Sequence, residues 1–236
     1  MLIALIGYGK MGRMVEEVAV QKGHVIILKI TNKEDFNYKN LSKADVAIEF
    51  TNPDAAYENV RNCINRKVPV VSGSTGWNEK LVEIKKYCIE KKGTFLHASN
   101  FSIGVNIFFE INTHLARLMD SQYEYDVSIK EIHHTQKKDT PSGTAVTLAE
   151  QVIGQLKRKK EWINNISDDK TALQIISERT DPAAGTHQVK YSSSIDDIEI
   201  IHTAHNRMGF ALGAVLAAEY ICNKQGIFSM KDVLSL

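Results

Sequence analysis

The residues best equipped for chemistry lie between Glu131 and Ala145, EIHHTQKKDTPSGTA. His133 and His134 close a run in which Tyr125, Val127 and Ile129 alternate with polar residues, the pattern of a half-buried strand. Lys137 and Lys138 follow in one loop, and Pro141, Ser142, Gly143 and Thr144 read as the start of a helix. Imidazole, ammonium and free backbone N–H groups are thus gathered in one short stretch. Such groups bind an anionic substrate and deliver a proton to it. Neighbouring strand residues point to opposite faces, so His133 and His134 serve one site only if the strand ends there, as the loop after them predicts. Lys138 is read as a surface residue. Adjacent histidines lack the usual zinc spacing, no thiol or carboxylate ligand set is evident, and no metal is expected. His202 and His205 would face opposite sides of a strand, and neither is read as a ligand.

The elements that must position this stretch begin at the start of the chain. Leu2 to Ile6 is fully apolar, as in a strand buried on both faces of a parallel sheet. Gly7, Tyr8, Gly9, Lys10, Met11 and Gly12 follow, and a helical pattern opens with Met11, Met14, Val15 and Val18 on one face. This is GxGxxG between a strand and a helix. Gly7 allows the turn, Gly9 lets backbone approach a pyrophosphate, and Gly12 lets the helix lie on the strand. The helix N-terminus then faces the phosphates. A second strand, His24 to Ile30, ends in Thr31, Asn32 and Lys33; no ribose-binding carboxylate stands at the expected place, although Glu34 and Asp35 are close. A lysine and small polar groups suit a 2′-phosphate, so NADPH is favoured over NADH. Lys33 is a candidate contact; read blandly, it is a loop lysine.

Further strands are expected at Ala44 to Phe50, Val68 to Val71 and Thr94 to Leu96, alternating with helices. Pro53 suits the first position of the helix that runs to Arg66, and Cys63 reads there as a small buried residue. This alternation predicts an α/β fold, an N-terminal Rossmann-type doubly wound parallel sheet. Ligands bind such sheets outside the carboxyl ends of the strands. Gly73, Ser74 and Thr75, and Ala98, Ser99, Asn100 and Phe101, lie there. After Phe101 the pattern changes. A long helix spans Ile103 to Met119, and another is expected from Ala145 to Lys160, its basic run Lys157 to Lys160 read as a solvated face. Strand-like runs follow at Leu173 to Arg179, His187 to Ser193 and Ile198 to Ala204, then helices at Phe210 to Cys222 and Ile227 to Leu236. The second part therefore reads as a smaller α+β domain with a mixed sheet. The expected division is 1–101 with 206–236 for dinucleotide binding, and 102–205 for substrate binding and oligomerisation.

With 236 residues the chain can bury a substantial core, and a net charge of +1 gives no pull toward nucleic acid or membrane. Cys63, Cys88 and Cys222 are few and scattered, which argues against disulfides or a zinc cluster and fits a reducing cytoplasm. The first residues lack the basic flank and long apolar run of a signal peptide, and no stretch approaches a membrane span.

The central stretch closely resembles the E-x-H-H-x-x-K-x-D-x-P-S-G-T-A signature of dihydrodipicolinate reductases. GYGKMG, EFTNP, SGSTGW, ASNFSIGVN, GTH at Gly185 to His187 and HNRMGFALGA at His205 to Ala214 follow that family's order along essentially the whole chain. The resemblance implies NAD(P)H-dependent reduction of a cyclic dicarboxylate in the diaminopimelate route to lysine. It implies a proton donor/acceptor at His133, a proton donor at Lys137, and substrate binding by His134, Gly143 and Thr144. Cofactor contacts are implied at the glycine turn, at Gly73 to Thr75 and at Ala98 to Phe101, in a cytoplasmic homotetramer built through the second domain's sheet. Two features depart from the family. Arg179 is followed by Thr180 and Asp181 where a glycine is frequent two places on, and the chain is shorter after the second strand and near Asn164. Other readings of the residues alone are a reductase of another small carboxylate, or a regulator that binds NADP without chemistry.

Overall fold

The computed structural model describes residues 1–31 and 38–236. Its chain forms two compact units, Met1–Ile103 with Met208–Leu236, and Gly104–Arg207. The first opens with β1 (Leu2–Ile6), α1 (Lys10–Gln21), β2 (Val25–Ile30), α2 (Tyr38–Leu41), β3 (Val46–Glu49) and α3 (Pro53–Asn65). It continues with β4 (Val70–Ser72), α4 (Leu81–Glu90) and β5 (Thr94–His97). Asn52 caps α3 by accepting from Ala55 N–H at 3.0 Å, and Pro53 occupies the first turn, where its missing N–H costs nothing.

The second unit carries α5 (Ile103–Met119), β6 (Asp126–His133), α6 (Gly143–Gln155), β7 (Glu161–Ile163), β8 (Ala172–Arg179), β9 (Gly185–Ser192) and β10 (Asp197–Ala204). The chain then returns to the first unit with α7 (Met208–Ile221), β11 (Gly226–Phe228) and α8 (Met230–Leu234).

The first sheet has six parallel strands in the order β11-β5-β4-β3-β1-β2. Alternation along β1 sends Ile3 and Leu5 into one core, with Val15, Val18 and Ala214. Ala4 and Ile6 enter another, with Val60, Ile64 and Ile84. Burial of both faces is what makes β1 uniformly apolar. The second sheet is mixed, in the order β10-β9-β6-β8-β7. One face packs on α5 and α6 through Val127, Ile129, Leu148, Val152 and Phe108. The other is polar and half-exposed, with Lys130 paired to Glu178 at 2.7 Å and Gln188 bonded to Glu199 at 2.8 Å.

Three local expectations are corrected. The helix expected to reach Lys160 ends at Gln155, and a short strand, β7, follows. Lys159 is not part of a solvated face: it is buried, and its Nζ donates to the carbonyls of Lys170 and Ala172 and pairs with Asp126 Oδ1 at 2.8 Å. Its long apolar stem allows that burial once the ammonium is fully partnered. Ile227 and Phe228, read as the start of a helix, instead add an edge strand beside β5, and only Met230–Leu234 is helical.

Candidate functional site

In the first unit, a cleft of about 550 Å³ opens where three strands end. Gly9, Lys10 and Met11 form one wall, Gly73 to Gly76 the second, and Phe50 to Pro53 the third. The glycines of the first wall do different work. Gly7 has φ +93°, a left-handed conformation that excludes most side chains. A Cβ on Gly12 would sit 2.3 Å from the Gly7 carbonyl oxygen, so this glycine is required for α1 to pack. A Cβ on Gly9 would meet nothing within 4 Å, so nothing in the fold itself requires that glycine for space. Gly9 is the N-cap of α1, with no side-chain cap and no acidic residue in the first turn. The first N–H groups of α1 therefore have neither a side-chain acceptor nor a competing carboxylate, the setting in which a helix start takes phosphate.

Glu49 ties the other two walls together. It is fully buried at the end of β3 and accepts from Ser72 Oγ at 2.6 Å, Ser74 Oγ at 2.8 Å, Thr51 N–H at 2.9 Å and the Thr51 hydroxyl. His97 Nε2 donates to the Ser74 carbonyl at 3.2 Å, and burial lowers the affinity of that imidazole for a proton. The structure thus brings Gly9, Lys10, Met11, Gly73, Ser74 and Thr75 into one cleft. Tyr8 turns instead toward Glu16 and Lys29, with Lys29 Nζ 4.6 Å from its ring centre. Ala98, Ser99, Asn100 and Phe101 follow β5 outside that cleft, and the Phe101 ring is a core residue packed edge-on to Phe50. Lys33 lies outside the described residues. Phe50, Thr51, Asn52 and Pro53 were not singled out as cofactor contacts. Their signal was the polar turn directly after the apolar β3 run.

In the second unit, β6 ends at His133, and His134 begins a turn closed by Lys137 N–H to the His134 carbonyl at 3.1 Å. His133 is buried and His134 half-buried. The turn is clamped from β8: Thr180 N–H donates to the His133 carbonyl at 2.8 Å, and Asp181 accepts from the Thr135 N–H and hydroxyl. The Thr180-Asp181 departure thus supplies a carboxylate that pins the histidine turn. Those Thr135 hydrogen bonds hold Asp181 below the usual carboxylate range.

Lys137 is half-buried and its Nζ lies 2.8 and 2.9 Å from the two oxygens of exposed Asp139. Partial burial opposes ionisation of Asp139, but the Lys137 ammonium outweighs it and the carboxyl stays below its ordinary range. Lys138 is exposed. Ser142 caps α6, its Oγ accepting from Ala145 N–H at 3.2 Å. The N–H groups of Gly143 and Thr144, at the helix start, have no intrahelical acceptor. No acidic residue stands in that first turn, and a Cβ on Gly143 would meet nothing within 4 Å.

Beneath these groups lies Glu131, fully buried. Its carboxylate accepts from Ser142 N–H at 3.1 Å, Ser177 Oγ at 2.8 Å and Arg179 Nη2 at 3.3 Å. His133 Nδ1 lies 3.3 Å from Glu131 Oε2, within ion-pair range though without the alignment of a hydrogen bond. Burial acts to raise the Glu131 carboxyl, but His133, Ser142 and Ser177 outweigh it and hold the group well below the usual range. His187, opposite Glu131 on β9, places its Nε2 3.1 Å from Ser142 Oγ and its ring edge-on to His133, centroids 5.0 Å apart. Burial, then the charge of His133, pushes His187 down to about 3. Glu131, His133 and His187 could each turn one ligand atom toward a cation, all within 4.8 Å. The carboxylate is already engaged by the Arg179 guanidinium and the Ser142 N–H, which a cation would have to displace.

Both halves of this geometry match one family along the chain. Residues 1–101 match the model of the dihydrodipicolinate reductase N-terminus, and residues 104–234 that of its C-terminus. The chain belongs to the dihydrodipicolinate reductase family. It is 48% identical over 235 residues to 4-hydroxy-tetrahydrodipicolinate reductase of Christiangramia forsetii, covering 100% of this chain and 98% of that relative. The protein of the same name from Neisseria gonorrhoeae is 32% identical over 230 residues, covering 94% of this chain and 84% of the relative. The fold is similar to that of a dipicolinate-bound dihydrodipicolinate reductase from Paenisporosarcina sp. TG-14, with TM-score 0.79, 21% identity and 97% of each chain covered. An amine dehydrogenase from Mycobacterium smegmatis shares the fold more distantly, with TM-score 0.64 and 12% identity over 98% of this chain and 95% of that one. As a member of this family the chain is an oxidoreductase.

Proposed function

We propose that this chain reduces 4-hydroxy-tetrahydrodipicolinate to tetrahydrodipicolinate in the diaminopimelate route to lysine, with a pyridine nucleotide as hydride source. The observation that carries the reading is the cluster His133, His134, Lys137, Gly143 and Thr144 at the end of β6 and the start of α6. It offers cationic and N–H partners for a small dicarboxylate, in a chain that also carries a glycine-turn cleft. In this reading the unit Met1–Ile103 with Met208–Leu236 holds the nucleotide, and Gly104–Arg207 holds the substrate. Gly7, Gly9 and Gly12, with Tyr8, Lys10 and Met11, would hold the pyrophosphate at the α1 N-terminus. Gly73, Ser74 and Thr75, with Ala98, Ser99, Asn100 and Phe101 after β5, would hold the nicotinamide and its ribose. The uncapped start of α1 and the open space over Gly9 fit such a group.

The nucleotide supplies a hydride when bound. Substrate carboxylates take the N–H groups of Gly143 and Thr144 and the imidazole of His134, interactions strengthened by charge. Lys137, at present held by Asp139, is freed by exchange of one carboxylate for another. The substrate loses its 4-hydroxyl as water, which leaves a conjugated ring; the electron pair that arrives with the hydride then places negative charge on that ring, and a proton from Lys137 Nζ, with His133 as proton donor/acceptor, neutralises it.

NADPH is the preferred nucleotide, with NADH accepted, because the sequence directly after β2 reads Thr31, Asn32, Lys33 where a carboxylate is expected. Lys33→Ala should weaken NADPH by about 1 kcal/mol, roughly 5-fold, and leave NADH unchanged, as measured by fluorescence titration. Equal loss for both would remove the argument. Assembly is proposed as a cytoplasmic homotetramer through the second sheet. Its support is the sheet's open polar face and its edge strand β10, which exposes Ile198 and Ile201. Among the described residues no helix is long and apolar enough to cross a membrane.

The test is oxidation of NADPH and NADH by the pure protein, with substrate generated in place from pyruvate and aspartate semialdehyde by the preceding synthase. Rapid, synthase-dependent oxidation is expected. Nucleotide binding without oxidation would favour a reductase of another carboxylate or a regulator.

A further inference from the structure

Glu131 stands on the central strand of the second sheet with Ser177 as its register partner on β8 and His187 on β9. The register places these side chains in one row on the face that packs against the helices. The two carboxylate oxygens have different neighbours. Oε1 takes the Ser177 hydroxyl at 2.8 Å, the Arg179 guanidinium at 3.3 Å and Ser142 N–H at 3.1 Å. Oε2 faces His133 Nδ1 at 3.3 Å and His187 Nε2 at 3.8 Å, with Ser142 N–H at 3.2 Å. On the other side of the ring a Cβ on Gly185 would lie 3.1 Å from His133 Nε2, so this glycine keeps side-chain atoms away from that nitrogen. The edge of His187 and the Glu131 carboxylate flank the rest of the ring.

We propose that Glu131 is a positioning residue for His133: its Oε2 holds the proton of the neutral ring on Nδ1 and leaves Nε2 as the atom that exchanges protons with substrate. The inference rests on the reading of His133 as the proton donor/acceptor. The physical reason is electrostatic: at 3.3 Å, even without hydrogen-bond alignment, a negative carboxylate oxygen favours the tautomer that turns N–H rather than a lone pair toward it. His187 cannot take over this role, because its own Nε2 lies against the Ser142 hydroxyl. Arg179 and Ser177 keep the carboxylate from turning, since both act on Oε1.

Glu131→Gln tests this without changing shape. Ser177, Arg179 and Ser142 all need an acceptor, so the amide oxygen takes the Oε1 position. The amide NH₂ then faces His133 Nδ1 and donates to it, which reverses the tautomer. The first readout is the ring nitrogen spectrum of ¹⁵N-histidine-labelled protein at mildly alkaline pH, with His133 assigned by its loss in His133→Gln. The wild type should show Nδ1–H, the tautomer disfavoured in free histidine, and Glu131→Gln should show Nε2–H. The second readout is turnover, which should fall about 100-fold in Glu131→Gln while KM for the dicarboxylate stays close to wild type. A merely structural role would leave the tautomer unchanged and lower activity only in step with the folded fraction. Nε2–H in the wild type overturns the proposal without any variant, and so does an unchanged tautomer in Glu131→Gln. If the tautomers behave as stated but the wild type does not oxidise reduced nucleotide with this substrate, the proposed function fails and the Glu131 arrangement stands.

Discussion

Among the described residues each unit of the molecule buries one glutamate completely, and the two are used differently. Glu49 is surrounded by neutral donors only: the hydroxyls of Ser72, Ser74 and Thr51 and one backbone N–H. Glu131 has an arginine and two histidines beside it, together with its serine donors. A carboxylate held by hydroxyls and N–H groups is a clasp that draws loops into one wall. A carboxylate held among titratable rings also decides where their protons sit. The first unit thus has a buried carboxyl group that draws the turns of a cleft together, and the second has one that, in the proposal above, sets the proton of a neighbouring ring.

The contrast can be broken at its strongest point first. His133→Ala and Lys137→Ala should each lower turnover by about 10²- to 10⁴-fold, with nucleotide affinity nearly unchanged, as read by steady-state kinetics and titration. Near-full turnover in both would remove the roles assigned to them. Glu49→Ala should act the other way. It takes the acceptor from the hydroxyls of Ser72, Ser74 and Thr51, while the Thr51 N–H keeps Ser74 Oγ at 2.8 Å, so it should destabilise the chain by about 2–3 kcal/mol and weaken NADPH, while turnover at saturating nucleotide persists. Denaturant unfolding alongside the titration checks both parts.

The glycines sharpen the comparison within the first unit. Gly12→Ala drives a methyl to 2.3 Å from the Gly7 carbonyl oxygen, an overpacking that should cost about 1–3 kcal/mol in a thermal or denaturant melt. Gly9→Ala meets no protein atom, so stability should change by less than about 0.5 kcal/mol. Its NADPH affinity should still fall, because the methyl stands where pyrophosphate approaches the helix start.

A separate effect falls on acid stability. His187 falls from its ordinary 6.5 to about 3 in the folded chain. Between those values the unfolded chain holds a proton that the folded chain refuses, so stability rises with pH across the window. The His187 contribution is complete above 6.5 and is lost as pH falls toward 3. Glu131, also depressed, adds a further loss below its ordinary 4.5. Melting points measured down this range should decline from 6.5 in the wild type, and His187→Gln should flatten the upper part of that decline.

What the sequence revealed was local. Strand alternation around Ile129, the Asn52-Pro53 and Ser142 helix starts and the glycine turn each rest on neighbours a few residues apart. The mixed second sheet was legible because its strands announce themselves by alternation, and the end of β6 at His133 followed from the loop after it. What stayed hidden depends on pairing across the fold. Glu131 was visible only as the first letter of a motif, because its partners Ser177, Arg179 and His187 reach it through strand register. Lys159 read as solvent-facing because a run of basic residues does not disclose that one of them meets two carbonyls and a carboxylate. β7 and β11 are three residues each, too short to show a period.

The division of labour between the units is tested most directly by measuring NADPH affinity and turnover on Lys137→Ala and Gly9→Ala side by side. The account predicts a crossed result: Lys137→Ala binds NADPH as the wild type does and hardly turns over. Gly9→Ala binds NADPH weakly and recovers turnover as the nucleotide is raised. A Lys137→Ala protein that keeps its turnover, or loses it together with NADPH affinity, would contradict the assignment of chemistry to the second unit.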